Sequence, residues 1–405
     1  MAPPPATPAN PGLRLSGTAA QAASWRERLQ ASPPIAAGFP LLLLLLAATE
    51  TAAVEGISAA GATAASRRRT AAADAELLLL GPSGQRPHAL PPLPAGVSPA
   101  LISHVVAAEL GLAPLVVDLG CAVAPAVPHL QLGPLAGGVG GAGAAACLSS
   151  GAAMAPARVA ALVALGRRWG EAWHRRHGGA PLLLAECVPG GTSTALAVLL
   201  GLGVEAGGLV SGSLRDPAHE LKAELAARGL AAAGLPGAGQ AALGQVEPLA
   251  VLAAVGDPMQ ALAAGLVQTA AAAGVPLLLA GGSQMAAVLA LALALAPADG
   301  RPELLAHAAV VTTAWVAEEP GSDLARLLGR IGARFLPAGA PAPLGLASRL
   351  RFHHCRSAAL RDYERGYVKE GVGAGGLALL WELSGRSPEA LAAACDQACG
   401  LLLGP

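Results

Sequence analysis

Aromatic side chains and lysine are scarce in this chain. Five Trp, three Phe and two Tyr stand among 405 residues, and of 26 basic residues only Lys222 and Lys369 are lysine. Binders of single-stranded nucleic acid stack bases on aromatic rings, and duplex binders carry an excess of positive charge. Here 26 acidic residues balance 26 basic ones, so no nucleic-acid partner is expected. The basic runs Arg67-Arg68-Arg69 and Arg167 to His177 read as local solvated faces. No C-x-x-C pair occurs among Cys121, Cys147, Cys187, Cys355, Cys395 and Cys399, and His353-His354 has no third partner at a metal-binding spacing. Zinc is therefore not expected, and reduced thiols in the cytoplasm are the default. No Gly-Lys-Ser/Thr follows a glycine loop and no G-x-S-x-G elbow appears, which disfavours P-loop nucleotide hydrolysis and the commonest serine-hydrolase chemistry. The proline-rich start lacks the charged and apolar regions of a signal peptide; residues 1–24 read as a disordered extension ahead of one domain over 25–405.

What is abundant is alanine, glycine, leucine and proline. Hydrophobic residues make up 54% of the chain, charged residues only 13%, and mean hydropathy is +0.54, which raises the question of a membrane protein. Two stretches, Leu119 to Ala157 and Pro258 to Ala298, hold no Asp, Glu, Lys or Arg. A spanning helix needs about 20 uninterrupted apolar residues. Pro125, Pro128, Pro134 and a glycine run break the first stretch; Gly274, Pro276 and Gly281-Gly282-Ser283-Gln284 divide the second. A membrane protein is thus the minor reading.

Short apolar runs alternate with helical patterns. Strands are expected at Leu41 to Ala47, Leu115 to Asp118, Leu182 to Ala185, Leu277 to Ala280 and Ala309 to Thr313. Helices are expected from Ser98-Pro99 toward Leu110 and over Arg158 to Trp173, Thr194 to Leu202, Asp216 to Arg228, Met285 to Ala296 and Leu377 to Leu383. Such alternation implies an α/β fold with a mostly parallel sheet covered by helices on both faces, Rossmann-like, with ligands at the carboxyl ends of the strands.

The turns after those strands carry the less ordinary residues. Glu186 leads into Pro189-Gly190-Gly191-Thr192-Ser193-Thr194, a turn and helix start suited to a small anion such as phosphate, or equally to plain hydroxyl capping. Gly281 to Gln284 follows the next strand. The G-x-G-x-x-G matches at Gly138 and Gly371 do not follow apolar strands, so a dinucleotide fold is disfavoured. Glu370, between Lys369 and a glycine run, suits a desolvated proton acceptor or an exposed Lys-Glu pair on a loop. Asp257 before Pro258 reads as a helix cap, with ribose binding as the alternative, and Lys222 as a phosphate contact or a solvated side chain.

Seven segments in order, GISAAGA at Gly56, TAAADAE at Thr70, ECVPGGTST at Glu186, GDPMQ at Gly256, AGGSQM at Ala280, TTAWV at Thr312 and YVKEGVGAGG at Tyr367, resemble the nicotinate-nucleotide:dimethylbenzimidazole phosphoribosyltransferase family. The resemblance spans roughly Phe39 to Leu383. It implies a parallel α/β domain with a small helical subdomain from the chain ends, a homodimer, and transfer of 5-phosphoribosyl from nicotinate mononucleotide to a benzimidazole or purine base. It assigns Glu370 as the base that takes the proton of the attacking nitrogen; Glu186, beside the phosphate loop, is the candidate either for facing the positive ribosyl centre or for holding ribose hydroxyls. Pro189 to Thr194, Lys222, Asp257, Gly281, Gly282, Ser283 and Gln284 fall to phosphate and ribose, and Glu50, Gly56, Ile57 and Ser58 to the base. Neither metal nor cofactor is implied. The loop departs from the Gly-x-Gly-x-x-Asn-Thr-Thr pattern of well-known bacterial members in having no asparagine. A mononucleotide-binding protein without catalysis is the competing reading.

Overall fold

The computed structural model describes residues 12–31, 41–132, 143–237 and 246–404. Eight strands form one sheet: β1 (Leu13–Ser16), β2 (Leu41–Leu46), β3 (Leu115–Asp118), β4 (Leu130–Gln131), β5 (Leu182–Cys187), β6 (Leu277–Ala280), β7 (Ala308–Thr312) and β8 (Gly345–Ala347). Their order is β1-β8-β7-β6-β5-β2-β3-β4, parallel throughout except for β1 against β8. From β2 the chain builds outward through β3 and β4, then returns and builds the other way from β5. The order thus reverses between β2 and β5, the place where an open α/β sheet offers a crevice to ligands.

The six-leucine run of β2 has a direct explanation. Leu43 and Leu45 enter one hydrophobic core while Leu42, Leu44 and Leu46 enter the core on the opposite face. A strand buried on both sides has no polar face, so alternation disappears. The first core holds the helices Pro156–His177, Gly191–Gly201, Pro258–Ala272, Gly282–Leu295 and Leu324–Phe335. The second holds Thr70–Leu80, Ala100–Leu110 and Ala374–Leu383, and there the chain-end helices Ala19–Ala31 and Pro388–Leu403 contribute Trp25 and Leu391.

The charge-free stretch Pro258 to Ala298 resolves into helix, strand and helix. Among the described residues no helix is long and apolar enough to cross a membrane. The proline-rich start needs a correction. Residues 1–11 lie outside those described, but Leu13–Ser16 adds an antiparallel edge strand to β8 and a helix follows from Ala19. Pairing with a distant strand supplies order that local composition does not announce. Gly138 and Gly140 also lie outside the described residues.

Candidate active site

A cavity of about 330 Å³ opens at the carboxyl ends of β5 and β6. Eleven of the residues expected at the site line it: Ser58, Glu186, Pro189, Gly190, Gly191, Thr192, Gly281, Gly282, Ser283, Gln284 and Glu370. Two helices start there. Gly190 turns the chain in the left-handed region, φ 81°, and its α-hydrogen faces the Ala52 backbone, where a Cβ would lie 3.0 Å from the amide nitrogen. Helix Gly191–Gly201 begins at once, and Gly282–Leu295 begins from the neighbouring strand. Two helix N-termini directed at one cavity favour a negatively charged ligand group.

Glu186 is 2% exposed. Its Oε2 accepts the Val188 N–H at 3.0 Å and its Oε1 accepts the Gln284 amide at 2.8 Å. Burial, then the charges of Glu370 and Asp257, push its pKa up to about 8, against the pull of those two donors. Gln284 Oε1 is buried with no hydrogen-bond partner among the described residues. That oxygen packs beneath Gly191, where a Cβ would lie 1.8 Å from it, so glycine is required at this helix start.

The Glu186 carboxyl has a thermodynamic signature. Because its folded pKa lies above the unfolded value, the native state retains a proton that the unfolded chain loses, so stability falls as pH rises from about 4.5 to about 8. Glu186→Gln removes this penalty. Its Tm advantage over the parent is expected to be small at pH 5 and several degrees by pH 8.5; a constant offset in scanning calorimetry would show that the carboxyl is not raised.

Glu370 is held by four donors. Thr312 Oγ1 and the Thr313 N–H reach Oε2, both at 2.9 Å; the Gly375 and Gly371 N–H groups reach Oε1 at 3.0 and 3.2 Å. Burial raises its pKa, and the four donors oppose the rise. The glycine run after Glu370 permits this arrangement. A Cβ on Gly375 would collide with the Thr312 carbonyl carbon, and one on Gly376 with the Ala280 Cβ, so helix Ala374–Leu383 sits directly on the strand ends. Val368, Lys369 and Val372 have φ of 66°, 64° and 54°, the only non-glycine residues with positive φ among those described. Strain in β-branched residues on either side of one carboxylate is the pattern of a functional loop.

The loop is fastened by a buried ion pair. Lys369 Nζ donates to Glu319 Oε1 at 2.6 Å and to the Leu214 carbonyl at 2.7 Å, with side chains 1% and 3% exposed. Glu319 Oε2 accepts the Ser211 and Ser322 hydroxyls. The pair thus joins the Glu370 loop to the Ser211-Gly212-Ser213 wall. Lys369 is therefore not the exposed neighbour that loop composition suggests. Burial lowers its pKa and Glu319 opposes this.

Other expected residues are placed differently. Lys222 is 1% exposed, does not line the cavity, and donates to the Ser211 carbonyl at 2.8 Å behind its wall. Burial, with the Lys369 charge opposed by Glu319, lowers its pKa to about 8. Asp257 stays with capping. It accepts the Gln260 N–H at 3.1 Å in a reciprocal capping box and the Thr194 hydroxyl at 2.6 Å, so neither Asp257 nor Thr194 faces the cavity. Ser193 is buried in the helix as well. Glu50 forms a surface pair with Arg68 at 2.6 Å, Gly56 is exposed and Ile57 is core; of the base-side set only Ser58 lines the cavity, in contact with Ser213 Oγ at 3.1 Å. The 3-10 turn Glu50–Ala53 directs Glu50 outward. Sequence reasoning missed Asp74, Ser98 and Glu319. The motif around Thr70 contained Asp74, but only tertiary structure turns that helix face to the cavity. No cluster of three or more metal-ligating side chains occurs among the described residues.

Fold and site define an α/β enzyme class whose cleft at the strand ends joins two helix N-termini, the buried Glu186 carboxyl and the partly buried Glu370 carboxyl. A family model described as phosphoribosyltransferase matches residues 99–313, more than half of the chain. The UPF0284 protein of Prochlorococcus marinus (strain MIT 9313) is 50% identical over 340 residues, 82% of this chain and 79% of that one. The UPF0284 protein of Parasynechococcus marenigrum (strain WH8102) is 54% identical over 337 residues, with the same coverages. The crystal structure of CobT from Thermus thermophilus shares the fold, with TM-score 0.52 at 20% identity over 95% of this chain and 96% of that one. The chain belongs to the nicotinate-nucleotide:dimethylbenzimidazole phosphoribosyltransferase family and is an enzyme of the phosphoribosyltransferase class.

Proposed function

We propose that the protein transfers 5-phosphoribosyl from nicotinate mononucleotide to a benzimidazole- or purine-type base, as a cytoplasmic homodimer with one catalytic domain that includes the edge strand Leu13–Ser16. With a benzimidazole the product is α-ribazole phosphate, the activated lower ligand for a cobamide. The observation that carries this reading is the pairing of two helix N-termini with two carboxyls, the buried Glu186 and the partly buried Glu370, in one cavity. The helix starts at Gly191 and Gly282 anchor the 5′-phosphate, supported by Lys222 behind the Ser211 wall. A base nitrogen attacks C1′, the bond from C1′ to the nicotinate nitrogen breaks, and its electron pair leaves with nicotinate. The proton of the attacking nitrogen passes to Glu370, whose longest contact, to Gly371 at 3.2 Å, is the one that yields. Glu186 faces the positive charge that develops at the ribosyl centre. The approach of that charge favours its ionised form despite burial.

The test is nicotinate release from nicotinate mononucleotide with and without added base. Release that depends on the base supports transfer. Binding of the mononucleotide with no release by any base of a benzimidazole and purine panel would leave the non-catalytic reading.

A further inference from the structure

The cavity crosses the end of β5, and its two halves differ. Val188 belongs to the first core, the side of the helix starts at Gly191 and Gly282; Cys187 belongs to the second, the side of Glu370 and its helix. That second side is walled by Pro91, Pro92 and Pro99, flat apolar surface suited to an aromatic ring. Within it stands one further carboxyl. Asp74 is 4% exposed, lies on the helix Thr70–Leu80, and lines the cavity. Its Oδ1 accepts the Ser98 hydroxyl at 2.6 Å and its Oδ2 accepts the Cys187 thiol at 3.4 Å. A carboxylate has about four acceptor positions. The hydroxyl and the thiol are the only donors that reach Asp74 among the described residues.

We infer that Asp74 selects the acceptor base: it accepts an N–H from the edge of the ring remote from the attacking nitrogen, so the acceptor is an amino-bearing heteroaromatic of the aminopurine type. This rests on the transferase reading above. A dimethylated benzimidazole turns two methyl groups toward the same place and covers the acceptor positions of Asp74 that the Ser98 hydroxyl and the Cys187 thiol leave open, displacing solvent from a carboxylate without replacing its hydrogen bonds, which is costly. A ring bearing an amino group places one donor there while Glu370 receives the proton of the attacking nitrogen.

The experiment compares adenine with purine, which differs only by the amino group, and with 5,6-dimethylbenzimidazole, each with protein loaded with nicotinate mononucleotide. Adenine is expected to exceed both in kcat/KM by on the order of 10²-fold, and Asp74→Asn, whose amide offers a donor in place of one oxygen, to bring the adenine-to-purine ratio below about tenfold. Equal values for adenine and purine in the parent, or an unchanged ratio in D74N, overturn the inference. Should D74N fail to fold, the parent ratio decides. If nicotinate is released but the ratio is near one, transfer stands and the role of Asp74 falls. If bases bind without release, transfer falls and the ratio of Kd values decides Asp74; if no base binds, both fall.

Discussion

Glu370→Gln lowers base-dependent nicotinate release by about 10³-fold or more while the affinity for nicotinate mononucleotide stays within a few-fold. The expectation follows from the site's geometry. Three backbone N–H groups and the Thr312 hydroxyl fix both oxygens of the carboxylate, so its position does not depend on a bound ligand. An amide keeps the shape but has no basic oxygen for a proton, and its nitrogen turns toward donors that it cannot satisfy. Calorimetric binding and Tm are therefore measured beside kcat, to separate lost chemistry from lost structure. The pH profile adds a second readout. Burial raises the Glu370 pKa above the ordinary glutamate value, so in the parent kcat/KM climbs with pH as the carboxyl ionises, with the midpoint above that value. That limb disappears in the variant. If E370Q keeps a tenth of the parent rate, the proton goes elsewhere.

Lys369→Met is expected to cost about 3–5 kcal/mol, because it leaves Glu319 buried without its cation. Pairing it with Glu319→Gln restores most of that stability, since the Ser211 and Ser322 hydroxyls still find an oxygen and no lone charge remains. Activity separates the two contributions. The ion pair holds a loop in which Val368, Lys369 and Val372 all have positive φ, conformations that cost on the order of 1–3 kcal/mol each and revert when released. The double variant is therefore expected to regain Tm but to keep a kcat depressed at least tenfold with little change in KM. Full recovery of kcat along with Tm would make the pair structural only. Urea unfolding read together with steady-state kinetics decides between these outcomes.

Much of the sheet was legible from sequence because β2, β3, β5, β6 and β7 are apolar runs of four to six residues ending at polar or glycine-rich turns. The strands β1, β4 and β8 have two to four residues, and pairing with neighbours, not local pattern, defines them. Helix Thr70–Leu80 was illegible for the opposite reason. It is buried nearly all round, Asp74 and Glu76 included, so no apolar stripe marks its inner face. The site divides in the same way. Glu186 lies at the end of β5, and Gly190, Gly191 and Gln284 follow β5 and β6, so the rule that ligands sit at strand ends finds them, whereas Glu370 stood out by the glycine run after it. Glu319 and Ser98 act through partners 50 and 24 residues away in the chain, which no local motif reveals. Glu50 and Asp257 looked alike in sequence, polar residues at turns. One closes a surface ion pair and the other a helix cap.

The most direct test of the account is the identity of the product formed when stoichiometric protein, nicotinate mononucleotide and adenine or a benzimidazole are mixed. A single displacement at C1′ predicts one equivalent of nicotinate together with one equivalent of the base carrying 5-phosphoribose in the inverted, α configuration, seen by mass and by proton NMR of the C1′ hydrogen. Nicotinate accompanied by free ribose 5-phosphate, or a mononucleotide that stays intact with every base, would contradict it.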